Sequence, residues 1–328
     1  PIPAGAVLGR PAPAEAAAAP GEVVVPASLL PDLGYALAEP RSGPAGAPSL
    51  YAVLRGGDIP NPAPLPPPPP LAPTAVQLIR AFLPPTIAHR LDEGYSGFVG
   101  EHRAVTALFV GFSGFDYDGD PEVGPRLRAF LGRVFEIVAR YDGYVNKIDM
   151  GDKGSKALIL FGAPVAHEDD AARALQCALE LRALEEADRG TGGQGDKGTL
   201  GESSAAPPPP PPRVPLSLQI GVASGFVFSG QVGSTARQEY TVIGDAVNLA
   251  CRLMQAGAPA DILSDEATAR AAGESFEWGG ARELQLRGRS APVYAAPLLA
   301  AQAAGRAAGP VQMVGRAAEL AFLRNRLE

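Results

Sequence analysis

Cysteine is scarce in this 328-residue chain: Cys177 and Cys251 are the only two. So few thiols exclude a disulfide framework. The three histidines, His89, His102 and His167, are scattered and fit no zinc spacing with them. Both cysteines fall in helical patterns and are expected as buried thiols, and the histidines as surface or capping groups. Long apolar runs are also missing. None approaches the roughly 20 residues that cross a bilayer, and the opening "PIPAGAVLGR" lacks the apolar centre of a signal peptide. A cytoplasmic, soluble protein is the expectation. Positive charge is in deficit, with 28 Lys and Arg against 35 Asp and Glu and a net charge of −7. That balance argues against a dedicated nucleic-acid binder, although a small anionic ligand answers to local charge instead. With no initiator Met and a helical pattern running to its last residue, the chain reads as a fragment of a larger intracellular protein.

Glycine (39) and proline (35) are plentiful, and much of that excess sits in runs. Residues 56–73, "GGDIPNPAPLPPPPPLAP", read as a polyproline linker. Residues 188–213 read as a disordered Gly/Ser- and then Pro-rich insert. Neither buries enough apolar surface to offset the entropy of ordering. A folded domain is expected over 74–300, and 301–328 as a linker and the start of a further domain. A weak internal repeat relates "GEVVVPASLL" (21–30) to "ADILSDEAT" (260–268), and "GAPSLYAVL" (46–54) to "RSAPVYAAPL" (289–298). Residues 1–55 therefore read as the tail of a preceding copy of the same domain.

Within 74–300 the elements alternate. "AVTALFVGF" is β-rich, and "EVGPRLRAFLGRVFEIVARYD" has helical spacing through Leu127, Phe130, Leu131, Val134 and Ile137. "GYVNKIDM" and "SKALILFG" read as strands joined by a "GDKG" turn. "HEDDAARALQCALELRALEEAD" is a helix with acidic residues at its start, which complement the helix dipole. "VPLSLQIGVASG" and "FVFSGQVG" read as another strand pair. "EYTVIGDAVNLACRLM" (239–254) then runs a short strand through Gly244 into a helix, and "DILS" and the segment up to "YAAPL" close the domain as strands. The order is an α+β, ferredoxin-like βαββαβ sandwich with an added C-terminal hairpin.

The helix after Gly244 carries Asn248 and Arg252 four residues apart, so both side chains converge on one spot. Arg presents a planar fork of donors suited to phosphate oxygens. Asn adds a neutral donor and acceptor. The competing reading is a solvated Arg beside an Asn tolerated in mid-helix, against that residue's poor helix propensity.

"EYTVIGDAVNLACRLM" resembles the signature segment of the class III nucleotidyl cyclases. "VTALFVGFSGF" resembles the first strand of their catalytic domain, and "GYVNKIDMGDKGSKALILFG" its central hairpin. The likeness covers about 76–299 and is strongest to the second catalytic domain of soluble, bicarbonate-responsive adenylyl cyclases. "MVGRAAEL" near the C-terminus resembles the lead-in to the NTPase module that often follows such domains. The resemblance implies conversion of ATP to cyclic AMP and pyrophosphate at a site shared between two domains. One domain brings Mg²⁺ or Mn²⁺ on two aspartates, and the other brings adenine contacts and the Asn/Arg pair.

Residue by residue, the resemblance implies that Asn248 orients the ribose and Arg252 meets the transition-state charge. It implies that Lys147 and Thr241 read the purine, that the backbone of Val242 lies beside the base, and that Arg287 contacts the terminal phosphates. Gly111 stands where metal-binding copies have their first aspartate, and glycine offers no ligand atom. Asp149 and Asp152 overlay on the second, but a turn role is the stronger reading, since one carboxylate without its mate is a poor Mg²⁺ site. The chain is thus expected to hold no metal itself and to need a metal-bearing partner domain, just upstream in the parent chain. Met150 matches a methionine lining the activator pocket of the bicarbonate-responsive group, which makes bicarbonate a candidate ligand. A non-catalytic regulatory domain that tunes a partner is the alternative.

Overall fold

The computed structural model describes residues 11–33, 38–42, 49–53, 72–80, 83, 85–92, 100–151, 154–191, 214–233, 238–286 and 291–302. The 56–73 linker (apart from its last two residues), most of the 188–213 insert, Asp152, Arg287 and the C-terminal segment from 303 lie outside these residues.

A small N-terminal unit contains helix α1 (Pro11–Ala17), strand β1 (Val24–Pro26), helix α2 (Leu30–Leu33), β2 (Ala38–Arg41) and β3 (Leu50–Val53). Its three strands are antiparallel in the order β1–β3–β2, around buried Leu50 and Ala52. Helices α3 (Pro73–Arg80) and α4 (Pro85–Asp92) follow, divided near Pro84 and Pro85 and joined by an Arg80–Asp92 ion pair. Proline clashes with the preceding turn of a helix, and this accounts for the break.

The main sheet is built from β4 (Glu101–Ser113), β5 (Tyr144–Gly151), β6 (Gly154–Phe161), β7 (Ser217–Gly233), β8 (Gln238–Ile243), β9 (Ile262–Asp265), β10 (Phe276–Trp278), β11 (Arg282–Leu284) and β12 (Val293–Ala301). The central order β7–β4–β6–β5 is antiparallel throughout and is the strand order of a ferredoxin-like βαββαβ unit. Its two crossovers are α5 (Val123–Arg140) and α6 (Asp170–Thr191). Beyond β7, β9 adds in parallel and β12 follows antiparallel to it. Strands β10 and β11 both pair with β12, forming the expected C-terminal addition.

The continuous apolar run in β4 follows from burial on both faces. Leu108, Val110 and Phe112 enter a core with Phe130, Leu131, Val134 and Ile137 of α5 and with α6. Val105, Ala107 and Phe109 enter a second core beneath α7 (Asp245–Ala256). Period-2 alternation sends successive side chains to opposite faces, and here each face is covered by helix.

In place of the two strands expected over 214–225 and 226–233, one strand of 17 residues runs from Ser217 to Gly233. Ser224 and Gly225 make no turn because β7 pairs with β4 without a break from Ser217 to Ser229. Gly225 instead leaves room for α7, since a Cβ there would sit 3.1 Å from Cβ of Ala246. Helix α6 runs to Thr191, past the expected start of the insert. Its last turns are tied to β7: the buried Glu185 carboxylate accepts the Leu218 N–H at 2.9 Å, and Asp188 accepts the Leu216 N–H at 2.9 Å.

A short helix missed in the sequence, α8 (Glu266–Ala272), is capped by Asp265, which accepts the Thr268 N–H at 3.1 Å and the Thr268 hydroxyl at 2.5 Å. Burial raises the Asp265 pKa above the ordinary carboxyl value, with the Thr268 and Ser224 hydrogen bonds opposing it. The folded state therefore holds this proton more tightly than the unfolded chain. The resulting stabilisation is complete below the unfolded pKa and is lost as pH rises through the folded one. The stability of wild type relative to Asp265→Asn is expected to fall with rising pH through that window. Chemical denaturation at a series of pH values checks this, and a wild type that gains on the variant as pH rises would contradict it.

Candidate active site

The strand–glycine–helix segment is a tight corner. At Gly244 a Cβ would lie 2.7 Å from Cγ1 of Val227, so crowding requires glycine there. From this corner α7 buries Ala246, Leu249, Ala250, Leu253 and Met254 against the sheet. The remaining face carries Asn248, exposed, and Arg252, half-buried. Gly221 of β7 sets how closely the helix lies, since a Cβ there would come 2.1 Å from the Ala250 carbonyl and 2.3 Å from the Met254 nitrogen.

Among the described residues, no hydrogen bond or ion pair engages the Asn248 amide, the Arg252 guanidinium or the Lys147 ammonium. Arg103, Arg126, Arg173 and Arg182, by contrast, are each spent on carbonyls or carboxylates. Unspent donors on a rigid face are available to an external anion.

Lys147 reaches its position through a β-bulge. The β5–β6 register shifts between Val145 and Lys147, which leaves Asn146 as the extra residue. Val145 and Ile148 pack on the α5/α6 core, and Tyr144 packs on the α7 core. Without the insertion, simple alternation would put Lys147 on the side of Val145. With it, Lys147 pairs with Leu158 of the α7-side core and stands exposed on that side.

Asn146 joins the two elements expected to read the base. Its Nδ2 donates to the Tyr240 carbonyl at 2.8 Å, and its Oδ1 accepts from the Thr241 hydroxyl at 3.2 Å. The Tyr144 and Tyr240 rings lie 6.1 Å apart, and the Tyr240 hydroxyl is 2.6 Å from Oγ of Ser229. Thr241 is thus tied to the residue that precedes Lys147. Val242 has its side chain in the core and pairs with Ser229 through its backbone. Arg287 lies outside the described residues. Asn146 was missed in the sequence. Its only signal there is its place beside Lys147, because the meeting of β5 with β8 is a tertiary event.

Cys251 lies beside Arg252 on α7; burial raises its thiol pKa, and the charges of Lys156 and Arg252 pull it back. Lys156 also bears on the expected metal position. It pairs with Gly111 across β4 and β6, and its ammonium lies 3.4 Å from Oδ2 of Asp149. Asp149 is therefore a strand residue in an ion pair and not a turn residue, a correction that follows from β5 continuing to Gly151. A Cβ at position 111 would sit 3.0 Å from Sδ of Met254. Among the described residues no group of three or more His, Cys, Asp or Glu is arranged to hold a metal ion. A position without a ligand atom, faced by a thioether and paired with an ammonium, does not fit Mg²⁺ or Mn²⁺, which require several oxygen ligands. Met150 is 7% exposed and belongs to the α5/α6-side core.

Comparison with known proteins agrees with this architecture. Residues 100–295 match the family described as the adenylate and guanylate cyclase catalytic domain. Adenylate cyclase type 10 of Homo sapiens is 33% identical over 159 residues, covering 48% of this chain and 8% of the human protein. That of Rattus norvegicus is 32% identical over 164 residues, covering 50% of this chain and 9% of the rat protein. The chain thus spans under a tenth of the length of these relatives. Among solved structures, the guanylyl cyclase Cya2 is similar with a TM-score of 0.52 and 27% identity over 63% of this chain and 97% of that one. The adenylyl cyclase CyaB from P. aeruginosa has the same fold, with a TM-score of 0.52 and 21% identity over 62% and 97%. The chain belongs to the class III adenylate and guanylate cyclase catalytic domain family.

Proposed function

We propose that this domain is one half of an adenylyl cyclase site and converts ATP to cyclic AMP and pyrophosphate when paired with a second cyclase domain. The observation that carries the reading is the set of unspent donors, Lys147, Asn248 and Arg252, on the side of the domain where Asn146 ties Thr241 to β5. In the reaction the ribose 3′-oxygen forms a bond to the α-phosphorus and loses its proton, and the bond to the pyrophosphate oxygen breaks. Negative charge builds on the non-bridging oxygens as this happens. The Arg252 fork meets that charge. Asn248 holds the ribose so that its 3′-oxygen points at phosphorus. Lys147 and Thr241 fix the adenine, with the Val242 backbone alongside, and Arg287 contacts the terminal phosphates. The Mg²⁺ or Mn²⁺ with which class III cyclases generally work is assigned to the partner domain, because the surroundings of position 111 do not suit it.

The reading extends to the parent protein. In the N-terminal unit a helix and a strand precede a last strand that lies between two others, as in α7, β9, β11 and β12. This order supports 1–55 as the tail of a preceding cyclase domain, the natural candidate for the metal-bearing half. A cytoplasmic site of action, bicarbonate as an activator and an NTPase region after 301 belong to the same proposal. No described helix is long and apolar enough to cross a membrane.

The regulatory alternative is favoured by one feature, the Met254 thioether facing position 111. The test pairs the chain with a cyclase domain that carries the metal aspartates but lacks the Asn/Arg pair and measures cyclic AMP formed from ATP with Mg²⁺ or Mn²⁺. Product from the pair and from neither half alone is the expected result. No product with that partner, together with a changed activity of a separate, complete cyclase homodimer on adding the chain, would favour regulation.

A further inference from the structure

We infer that Asn146 sets the base preference of the site by fixing which way the Thr241 hydroxyl points. The inference rests on the half-site reading and adds to it a specificity-determining residue. A threonine hydroxyl is both donor and acceptor, so by itself it tells an amino group from a carbonyl poorly. Here its freedom is removed in two steps. The Tyr240 carbonyl can only accept, so the nitrogen of the Asn146 amide must face it, at 2.8 Å. That orientation leaves Oδ1 toward Thr241, and Oδ1 can only accept. The hydroxyl therefore spends its hydrogen on Asn146, at 3.2 Å. Toward a ligand, Thr241 is left with lone pairs alone.

An acceptor at this place suits the exocyclic amino group of adenine and repels the exocyclic carbonyl of guanine. Lys147, beside Asn146 on the bulge, supplies a donor for a ring nitrogen. The same inserted residue thus re-aims Lys147 and orients Thr241, giving one donor and one acceptor in fixed order. The Tyr144–Tyr240 ring contact helps hold the pair of strands in place. Asn146 is a positioning residue in this account and need not touch the nucleotide.

The test measures competition of ATP and GTP for a fluorescent adenine nucleotide on the full chain paired with a metal-bearing cyclase domain. Wild type is expected to prefer ATP. Asn146→Ala is expected to lower the ATP-to-GTP affinity ratio about tenfold, the worth of one oriented hydrogen bond. Thr241→Val is expected to lower it by a similar factor, and the double variant by no more than Thr241→Val alone. A role limited to holding β5 to β8 would weaken both nucleotides equally and leave the ratio unchanged, and that result overturns the inference. If Asn146→Ala does not fold, Thr241→Val decides: an unmoved ratio overturns the inference. A wild-type preference for GTP overturns it as well. If the wild-type pair takes up neither nucleotide, the half-site reading falls and the inference falls with it. A wild-type ATP preference that survives both single variants removes the inference and leaves that reading standing.

Discussion

Replacing Arg252 with Ala is expected to lower the rate of cyclic AMP formation by the paired domains about 10²–10³-fold. Its guanidinium is half-buried on the outer face of α7 and has no partner among the described residues, so the fold loses little when it goes. Stability should stay within about 0.5 kcal/mol, as for substitutions away from packed or bonded groups. The loss should fall on kcat and much less on KM, because the charge the fork meets develops only as the 3′-oxygen attacks. Arg252→Lys should recover part of the rate, since charge returns without the planar fork. Steady-state assays on the pair, alongside a thermal melt of each variant, check these expectations. An unchanged kcat in Arg252→Ala would move the domain to the regulatory alternative.

The second large effect concerns the scaffold beneath that helix. Gly221→Ala is expected to destabilise the domain by about 3 kcal/mol or more, at or above the upper end for overpacked sites. The new methyl group would lie 2.1 Å from the Ala250 carbonyl and 2.3 Å from the Met254 nitrogen, and both atoms are helix backbone. Neither can swing aside, so α7 as a whole must lift from β7. A domain of this size should lose about 6–12 °C in melting temperature, taking roughly 2–4 °C per kcal/mol. Gly225→Ala, whose methyl group would meet only Cβ of Ala246 at 3.1 Å, should cost about 1 kcal/mol. Differential scanning calorimetry of the two variants measures the contrast. Equal shifts would mean that the helix does not rest on Gly221 as closely as the geometry requires.

Several elements were legible in the sequence because the local pattern and the tertiary role agree. Phe130, Leu131, Val134 and Ile137 recur at helical spacing and line one side of α5. The run "ALFV" in β4 is apolar without alternation, and β4 is covered on both faces. Asn248 and Arg252 share a face because four residues are about one helical turn, whatever lies around them. Other features were not legible. Ser224–Gly225 has turn composition, yet Gly225 makes room for α7, Ser224 bonds Thr106 and Thr268, and the strand continues. Asp149 sits beside turn residues, but the pairing of β5 with β6 gives it Lys156 as a partner. Helix α8 is only seven residues long, too short for its periodicity to stand out.

The sequence by itself determined the βαββαβ order, the corner at Gly244, the Asn/Arg pair on one helix face and the absence of a carboxylate at position 111. These are matters of residue identity and of spacing along a few turns, which backbone geometry fixes locally. Only the tertiary structure decided that β8 meets β5, that Asn146 bridges them, that a bulge turns Lys147 to the α7 side, and that Met254 and Lys156 surround position 111. Those facts depend on hydrogen-bond register and helix–sheet contact between residues 11 to 143 positions apart. A one-residue shift in register reverses the face of every side chain that follows it, and local composition does not record such a shift.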